Sequence, residues 1–269
     1  MNGFSILGAA GLLDGSIQLH HDETWGDGDF IPKNVRRRIS RLIAQVLRVT
    51  YEAGGMAASE DAAMIFATAN GEINTIGAIL QALLAVEPQV SPTLFHNSVH
   101  NAAPGYWAIL AKRLAASTTL TMGVASFEAA MLEAWMRLSD GESEVQVSVG
   151  DEAITGAPWA DPAHCTVDFA GSFRVGCGTE PGLGRLALVE FVPEEPDGFD
   201  EMARAQVLGA TEVVCDPMTV PGGAMHPCAG AAVALSFLLR PGDAGRLLLV
   251  RRSPAGGRFI LVFDRGVHD

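Results

Sequence analysis

The chain has little charge, and what it has is unbalanced. Only 18% of its 269 residues are charged, with 18 Lys and Arg against 31 Asp and Glu and a formal net charge of −13. That balance excludes an extended phosphate-binding surface, so nucleic acid is not an expected partner. The four cysteines, Cys165, Cys177, Cys215 and Cys228, form no C-x-x-C pair and show no metal-ligand spacing. A disulfide framework and a metal centre are therefore not expected, and the pattern fits a reduced, cytoplasmic protein. No apolar run approaches the roughly 18 residues of a membrane-spanning helix. The apolar stretch from Phe4 to Leu13 has no basic leader and meets Asp14, so it reads as a buried strand and turn rather than a signal peptide, and no membrane insertion is expected. Internal repeats and low-complexity segments are also absent from the sequence.

What is present is apolar bulk: 48% of the residues are hydrophobic. A chain of this size buries about three quarters of its extended surface, and an apolar surplus either enlarges the core or leaves surface for a partner. The pattern alternates strand and helix. A short strand from Phe4 to Leu7 meets a turn at Ala9-Ala10-Gly11, and one continuous helix is expected from Lys33 to Glu52, with Val35, Ile39, Leu42, Ile43, Val46 and Val49 on its apolar face. A strand from Ala62 to Thr68 stops at Asn70-Gly71. Helices are read at Ile76 to Val86, around Tyr106 to Ala115 with Pro104-Gly105 in the first turn, and at Phe127 to Leu138. Strands are read at Thr118 to Met122 and Glu144 to Val149. This alternation implies an α/β layered fold with a covered sheet. Further on, Asp168 to Val175 and Arg185 to Val192 read as a strand pair around the loop GCGTEPGLG, Glu194 to Glu201 as an acidic loop, Ala229 to Leu239 as an apolar helix, and Leu247 to Arg251 with Phe259 to Phe263 as a terminal hairpin.

The stretch from Val90 to Met131 carries the chemistry. It begins VSPTLFHNSVHNAAPGYWAI and ends TTLTMGVASFEAAM, and it resembles the β-ketoacyl synthase (condensing enzyme) family, whose members read I-S-P-F-F, N-x-x-x-G and then a strand into T-A-C-x-S. Ser91-Pro92, Asn101, Gly105 and Ser126 fall on that pattern, and VSVGDEAITG resembles the family's strand ending in G-G-A-E-A. The position of the nucleophilic cysteine falls on Val124. A thiolate raised at a helix N-terminus carries the acyl chain in such enzymes, and a valine cannot. Of the two histidine contexts in the family's second half, Met225 to Ala232 resembles G-H-x-x-G-A-A-G, with His226 in place but Pro227 departing from it. Gly209 to Pro217 lacks the histidine of H-G-T-x-T.

The resemblance implies a single domain, 1–269, of thiolase-like layered fold, with a recognisable first half (1–155) and a truncated second half (156–269). A condensing-enzyme relative without its cysteine resembles the chain length factors of type II polyketide systems, most of all the short subunits of aryl polyene pathways. It then implies a non-catalytic subunit in polyketide or fatty-acid-like biosynthesis that forms a heterodimer with an active ketosynthase, shares its acyl carrier protein, and needs no metal or organic cofactor. Thr118, Thr119, Leu120 and Met122 would lie at the dimer two-fold beside Val124, and Thr93, Leu94 and Phe95 would close the neighbour's acyl tunnel. His100, Ser126 and His226 remain as a possible residual site.

The residues also permit plainer readings. Ser126 has no G-x-S-x-G context, so its hydroxyl is expected to bond nearby backbone. His100, with Ser98 and Asn101, reads as a capping cluster, and His226 and Cys228, two residues apart, align poorly as a catalytic pair. The segment HHDETWGDGDF, His20 to Phe30, offers metal-ligand types but not the calcium-loop pattern. Gly176, Gly178, Gly182 and Gly184 lack the Lys-Ser/Thr of a phosphate loop and read as a flexible hairpin loop. Lys33, Arg36, Arg37, Arg38 and Arg41 form either a solvated face or a contact for an acidic carrier or partner. The rival readings are an independent acyl-thioester hydrolase or acyltransferase using Ser126 or a cysteine, and a purely structural partner of the ketosynthase.

Overall fold

The computed structural model describes residues 3–13, 17–20, 30–158, 160–177, 182–193 and 200–266. The first strand, β1 (Phe4–Leu13), runs straight through the expected turn: Ala9, Ala10 and Gly11 stand opposite Phe173, Ser172 and Gly171. The small residues there mark a close approach, since a Cβ on Gly8 would collide with the carbonyl oxygen of Ala53 at the end of a covering helix. β2 (Ile17–His20) pairs with β1. The remainder of the His20 to Phe30 segment, residues 21–29, lies outside the described residues.

The single helix expected from Lys33 is two, α1 (Lys33–Arg36) and α2 (Arg41–Glu52). Ser40 is extended between them, and its hydroxyl accepts the Ile43 N–H at 3.0 Å, an N-cap that starts a new helix. Then follow β3 (Ala63–Ala67), α3 (Ile73–Leu83), α4 (Pro92–Asn97), α5 (Ala102–Ala111), β4 (Ser117–Leu120), α6 (Ser126–Ser139), β5 (Glu144–Asp151) and β6 (Phe169–Gly176). The chain ends with β7 (Gly184–Val192), α7 (Glu201–Leu208), β8 (Glu212–Cys215), α8 (Ala229–Leu239), β9 (Gly245–Arg252) and β10 (Arg258–Arg265). β6 and β7 are not the expected hairpin. β1 enters between them and pairs with both, so β6 and β7 are not neighbours in the sheet.

The ten strands among the described residues form one sheet, in the order β4-β3-β5-β6-β1-β7-β10-β9-β8, with β2 beside β1. The order contains a repeat that the sequence hides. In the first half, β3 lies parallel to β5, and β5 antiparallel to β6. In the second, β8 lies parallel to β9, and β9 antiparallel to β10. α6 precedes the β5–β6 pair as α8 precedes the β9–β10 pair. β8 thus corresponds to β3, and among the described residues no second-half strand stands where β4 stands in the first. β6 pairs with both β5 and β1. The shortening of the second half is therefore local: the counterparts of α3, α4, α5 and β4 are replaced by residues 216–228.

One face of both halves packs on α6 and α8. Ile65, Val147 and Phe173 meet Met131 and Leu235 there, together with Leu249, Leu261 and Phe263 from the second half. α8 is apolar apart from Ser236 because most of it is buried, with only Val233, Ser236 and Leu239 half-buried. α2 and α5 cover the opposite face of the first half through Ile43, Val46 and Trp107 against Phe66. α7 covers that of the second with Ala205 over Leu248 and Ile260. A buried ion pair, Arg251 Nε to Glu128 Oε1 at 3.3 Å, joins β9 to the first turn of α6. This is the layered α/β fold expected. No helix among the described residues is long and apolar enough to cross a membrane.

Candidate functional site

The site is built where β4 hands over to α6. After Leu120 the chain passes Thr121 and Met122 into a 3-10 turn, Gly123–Ala125, and α6 starts at Ser126. Gly123 has φ of +54°, which an L side chain rarely adopts. The strand-turn-helix geometry that would expose a nucleophile at a helix N-terminus is thus present, and the residue at its apex is the half-buried Val124. Ser126 does not replace the nucleophile. Its buried hydroxyl accepts the Met122 N–H at 2.9 Å and faces two carbonyl oxygens, of Gly123 at 2.7 Å and Thr68 at 3.1 Å. It fastens the turn, as expected of a hydroxyl bonded to backbone.

Beside the turn lies a buried polar cluster that sequence reasoning missed. Asp151, at the end of β5, is fully buried. Its carboxylate accepts the Thr68 hydroxyl at 2.8 Å, the Asn70 N–H at 2.7 Å, the Ala69 N–H at 2.9 Å and the Cys228 thiol at 3.2 Å. His226, also fully buried, accepts the Cys228 N–H on Nδ1 at 2.9 Å and places Nε2 3.2 Å from the Asp151 carbonyl oxygen. Both ring nitrogens are therefore used in a neutral tautomer. Burial lowers the His226 pKa, with Asp151 opposing, while burial and the Asp151 charge push the Cys228 thiol well up. Cys165, buried nearby, is pushed up by the same causes, and partial burial also raises the exposed Cys215. His226 and Cys228 do come together, but through a backbone N–H, and the sulfur is a hydrogen-bond donor rather than a thiolate.

His100 departs from its expected capping cluster. Ser98 Oγ donates to the Phe95 carbonyl at 2.8 Å, and Asn101 makes no side-chain cap, whereas exposed His100 turns its Nε2 onto Thr121 Oγ1. Its ring is accommodated by Gly71, at φ +58°, where a Cβ would come within 3.1 Å of Nδ1. No hydrogen bond among the described residues links His100 to Ser126 or His226, so the three possible residual residues do not form one set.

Glu152, on the family's glutamate position, is buried, and its pKa is raised to about 7 by burial and the charge of Glu72. Burial raises Glu72 as well, although its carboxylate accepts Ser40 Oγ at 2.6 Å and Thr75 Oγ1 at 2.8 Å. Buried Asp168 accepts Gln45 Nε2 at 2.8 Å and the Ala153 N–H at 2.9 Å, and pairs with Arg41. Arg41 is thereby tied into the fold, and Arg36 donates to the Ile31 carbonyl at 3.1 Å. Lys33, Arg37 and Arg38 of the same run are exposed.

Thr93, Leu94 and Phe95 sit on α4, Leu94 half-buried and Phe95 64% exposed. On β4, Thr118 accepts Arg137 at 2.9 Å, and among the described residues the buried Thr119 Oγ1 has no partner within the chain. Among the described residues no strand pairs with the outer edge of β4. Among the described residues, nine of the fifteen exposed large apolar side chains, from Ile76 to Leu114, lie in the segment of the chain between β3 and β4. Gly176 and Gly184 lie within β6 and β7, while Gly178 lies outside the described residues. Among the described residues no group of three or more His, Cys, Asp or Glu could hold a metal ion.

Comparison with solved structures returns the same fold. The ishigamide ketosynthase/chain length factor matches with a TM-score of 0.71 at 16% identity, covering 99% of this chain and 100% of that one. The ketosynthase ApeO in complex with its chain length factor ApeC, from Xenorhabdus doucetiae, matches with a TM-score of 0.63 at 17% identity over 96% and 98% of the two chains. AntDE:AntF, a type II polyketide synthase acyl carrier protein with its ketosynthase bound to the hexaketide, matches with a TM-score of 0.71 at 13% identity over 98% and 100%. No curated protein matches by sequence. The family model for the β-ketoacyl synthase N-terminal domain matches residues 15–173. With that domain spanning more than half of its length and the fold running through both halves, the chain belongs to the β-ketoacyl synthase family.

Proposed function

We propose that this chain is a non-catalytic ketosynthase-like subunit, a chain length factor, that pairs with an active ketosynthase and shapes the tunnel into which the partner's acyl chain grows. The observation that carries this reading is the site itself: the nucleophile position is Val124, and every nearby group that could substitute is committed elsewhere. Ser126 is fastened to the turn, Cys228 is a protonated donor to Asp151, and His226 is neutral with both nitrogens occupied. The same commitments count against the hydrolase or acyltransferase reading, which needs an activated hydroxyl or thiolate with an accessible base.

The pairing surface is the open edge of β4, together with the exposed apolar residues of the β3–β4 segment. Exposed apolar side chains and an unpaired strand are what an obligate interface presents before its partner arrives. Thr119, Leu120 and Met122 would then face the two-fold, with Thr93, Leu94 and Phe95 on α4 as the steric stop. The named neighbours include ketosynthase and chain length factor assemblies and one with an acyl carrier protein, in keeping with a shared carrier. Lys33, Arg37 and Arg38 are the candidate contacts for it. Aryl polyene or related polyketide synthesis is the setting we favour. Co-expression with a ketosynthase, then mass measurement of the complex and product-length analysis, separates this reading from a purely structural partner, which would bind without altering chain length.

A further inference from the structure

Among the described residues the sheet ends in two short strands, β4 and β8, each parallel to the one strand it pairs with, but the two halves finish them differently. In the first half Arg137, near the end of α6, donates to Thr118 of β4 at 2.9 Å, and Leu120 of β4 packs against the main core. In the second half Arg240 stands at the end of α8 in the corresponding place, and among the described residues there is no third strand to receive it. Arg240 pairs instead with Glu212 of β8, and the two side chains are 48% and 41% exposed. Under this pair a cavity of about 310 Å³ opens between α8 and residues 219–221. Val220, Val233, Phe237 and Leu247 line it, with Glu212 and Arg240 at the rim. It lies beside β8, where the inward side chains of a strand equivalent to β4 would stand.

We infer that the β8 end of the sheet is a second docking edge, which receives an extended segment of another polypeptide carrying apolar side chains for the cavity and an acidic side chain for Arg240. Three features specify that occupant. Among the described residues the outer edge of β8 is unpaired, and a short extended segment can add there by main-chain hydrogen bonds. The fold itself shows the direction and length that fit, since β4 lies parallel to β3 over four residues, Ser117–Leu120. Charge supplies the rest: an exposed ion pair such as Arg240–Glu212 holds little free energy, so the guanidinium is available to an incoming carboxylate, which it would meet with a shorter and stronger hydrogen bond than a neutral acceptor gives. This edge lies at the opposite end of the sheet from β4. The inference concerns a different edge from the one in the proposed function and does not rest on that reading.

The test uses the full chain, isotopically labelled, and two capped peptides. One is the chain's own third strand, Ala-Ser-Thr-Thr-Leu-Thr, and the other carries Asp in place of its first Thr. Saturable amide shifts confined to Glu212, Val213, Val214, Leu247 and the last turns of α8 are expected, with the Asp peptide binding the more tightly. Arg240→Ala should weaken the Asp peptide about tenfold, the worth of one charge-assisted hydrogen bond. Val233→Trp, which fills the cavity, should abolish binding of both peptides while leaving the spectrum of a folded chain. The inference is overturned by an absence of saturable shifts at β8, by equal shifts from a scrambled peptide, or by equal affinity in Arg240→Ala. Shifts at β8 that follow protein concentration without peptide would also overturn it, since the occupant would then be a second copy of this chain.

Discussion

Truncating Phe95 tests the proposed steric stop, because its ring is mostly exposed in the isolated chain and would be buried in the complex. An aromatic side chain buries on the order of 200 Å² when fully covered, so the 64% left exposed amounts to roughly 130 Å². At about 25 cal/mol per Å² that area is worth about 3 kcal/mol as a ceiling. Association recovers only part of such a ceiling, so Phe95→Ala should cost about 2 kcal/mol of binding, roughly thirtyfold in Kd. The share already buried is smaller, and the isolated chain should lose no more than about 1–2 kcal/mol of unfolding free energy. Affinity for the co-expressed ketosynthase would be read by titration, stability by denaturant unfolding, and product lengths by mass spectrometry of the reconstituted pathway. Phe95→Ala and Leu94→Ala complexes should turn over and shift the products towards longer chains. An unchanged Kd together with an unchanged length distribution would refute the reasoning and leave α4 outside the interface.

Glu152 should make stability fall as pH rises. Its folded pKa, about 7, lies above the unfolded value of 4.5, so its contribution is fully present below 4.5 and is lost as pH climbs through 7, on the order of 3 kcal/mol in all. Glu152→Gln should flatten that part of the pH profile in denaturant titrations between pH 5 and pH 8, and an unaltered slope would show that the proton sits elsewhere. The Glu128–Arg251 pair is fully buried, so Glu128→Gln alone should cost about 3–5 kcal/mol by leaving a buried guanidinium uncompensated, and the double replacement Glu128→Leu with Arg251→Met should recover most of it. Equal losses in single and double variants would contradict that account. Reversing the charge of Lys33, Arg37 and Arg38 should weaken carrier or ketosynthase binding more at low than at high ionic strength, while affinity unchanged for both would reduce the run to a solvated face.

The elements most legible in the sequence are those whose own residues determine them. α8 spans Ala229–Leu239 as read, and the β9–β10 hairpin differs only at its ends, because an apolar run and a Pro-Ala-Gly-Gly turn are local signals. α4, α7 and β8 are not legible in the sequence. Each is four to eight residues long, too short for a hydrophobic period, and only their caps, Ser91 with Pro92 and Asp200, announce the two helices. The β6–β7 misreading has a different origin: a hairpin and a bridge across an intervening strand look alike when the strand that enters, β1, lies far away in sequence. The site divides in the same way. Val124 is legible because motif register is linear. Asp151 is not, because its partners come from residues 68–70 and 226–228 and meet only through the fold.

The central claim is that chemistry belongs to the partner and this chain only shapes it. Intact-mass analysis of the purified complex with its ketosynthase, after incubation with an acyl carrier thioester, tests that claim most directly. The account predicts a stoichiometric acyl adduct on the ketosynthase and none on this chain, in the complex or alone. An adduct on Ser126 or on any cysteine of this chain would contradict it.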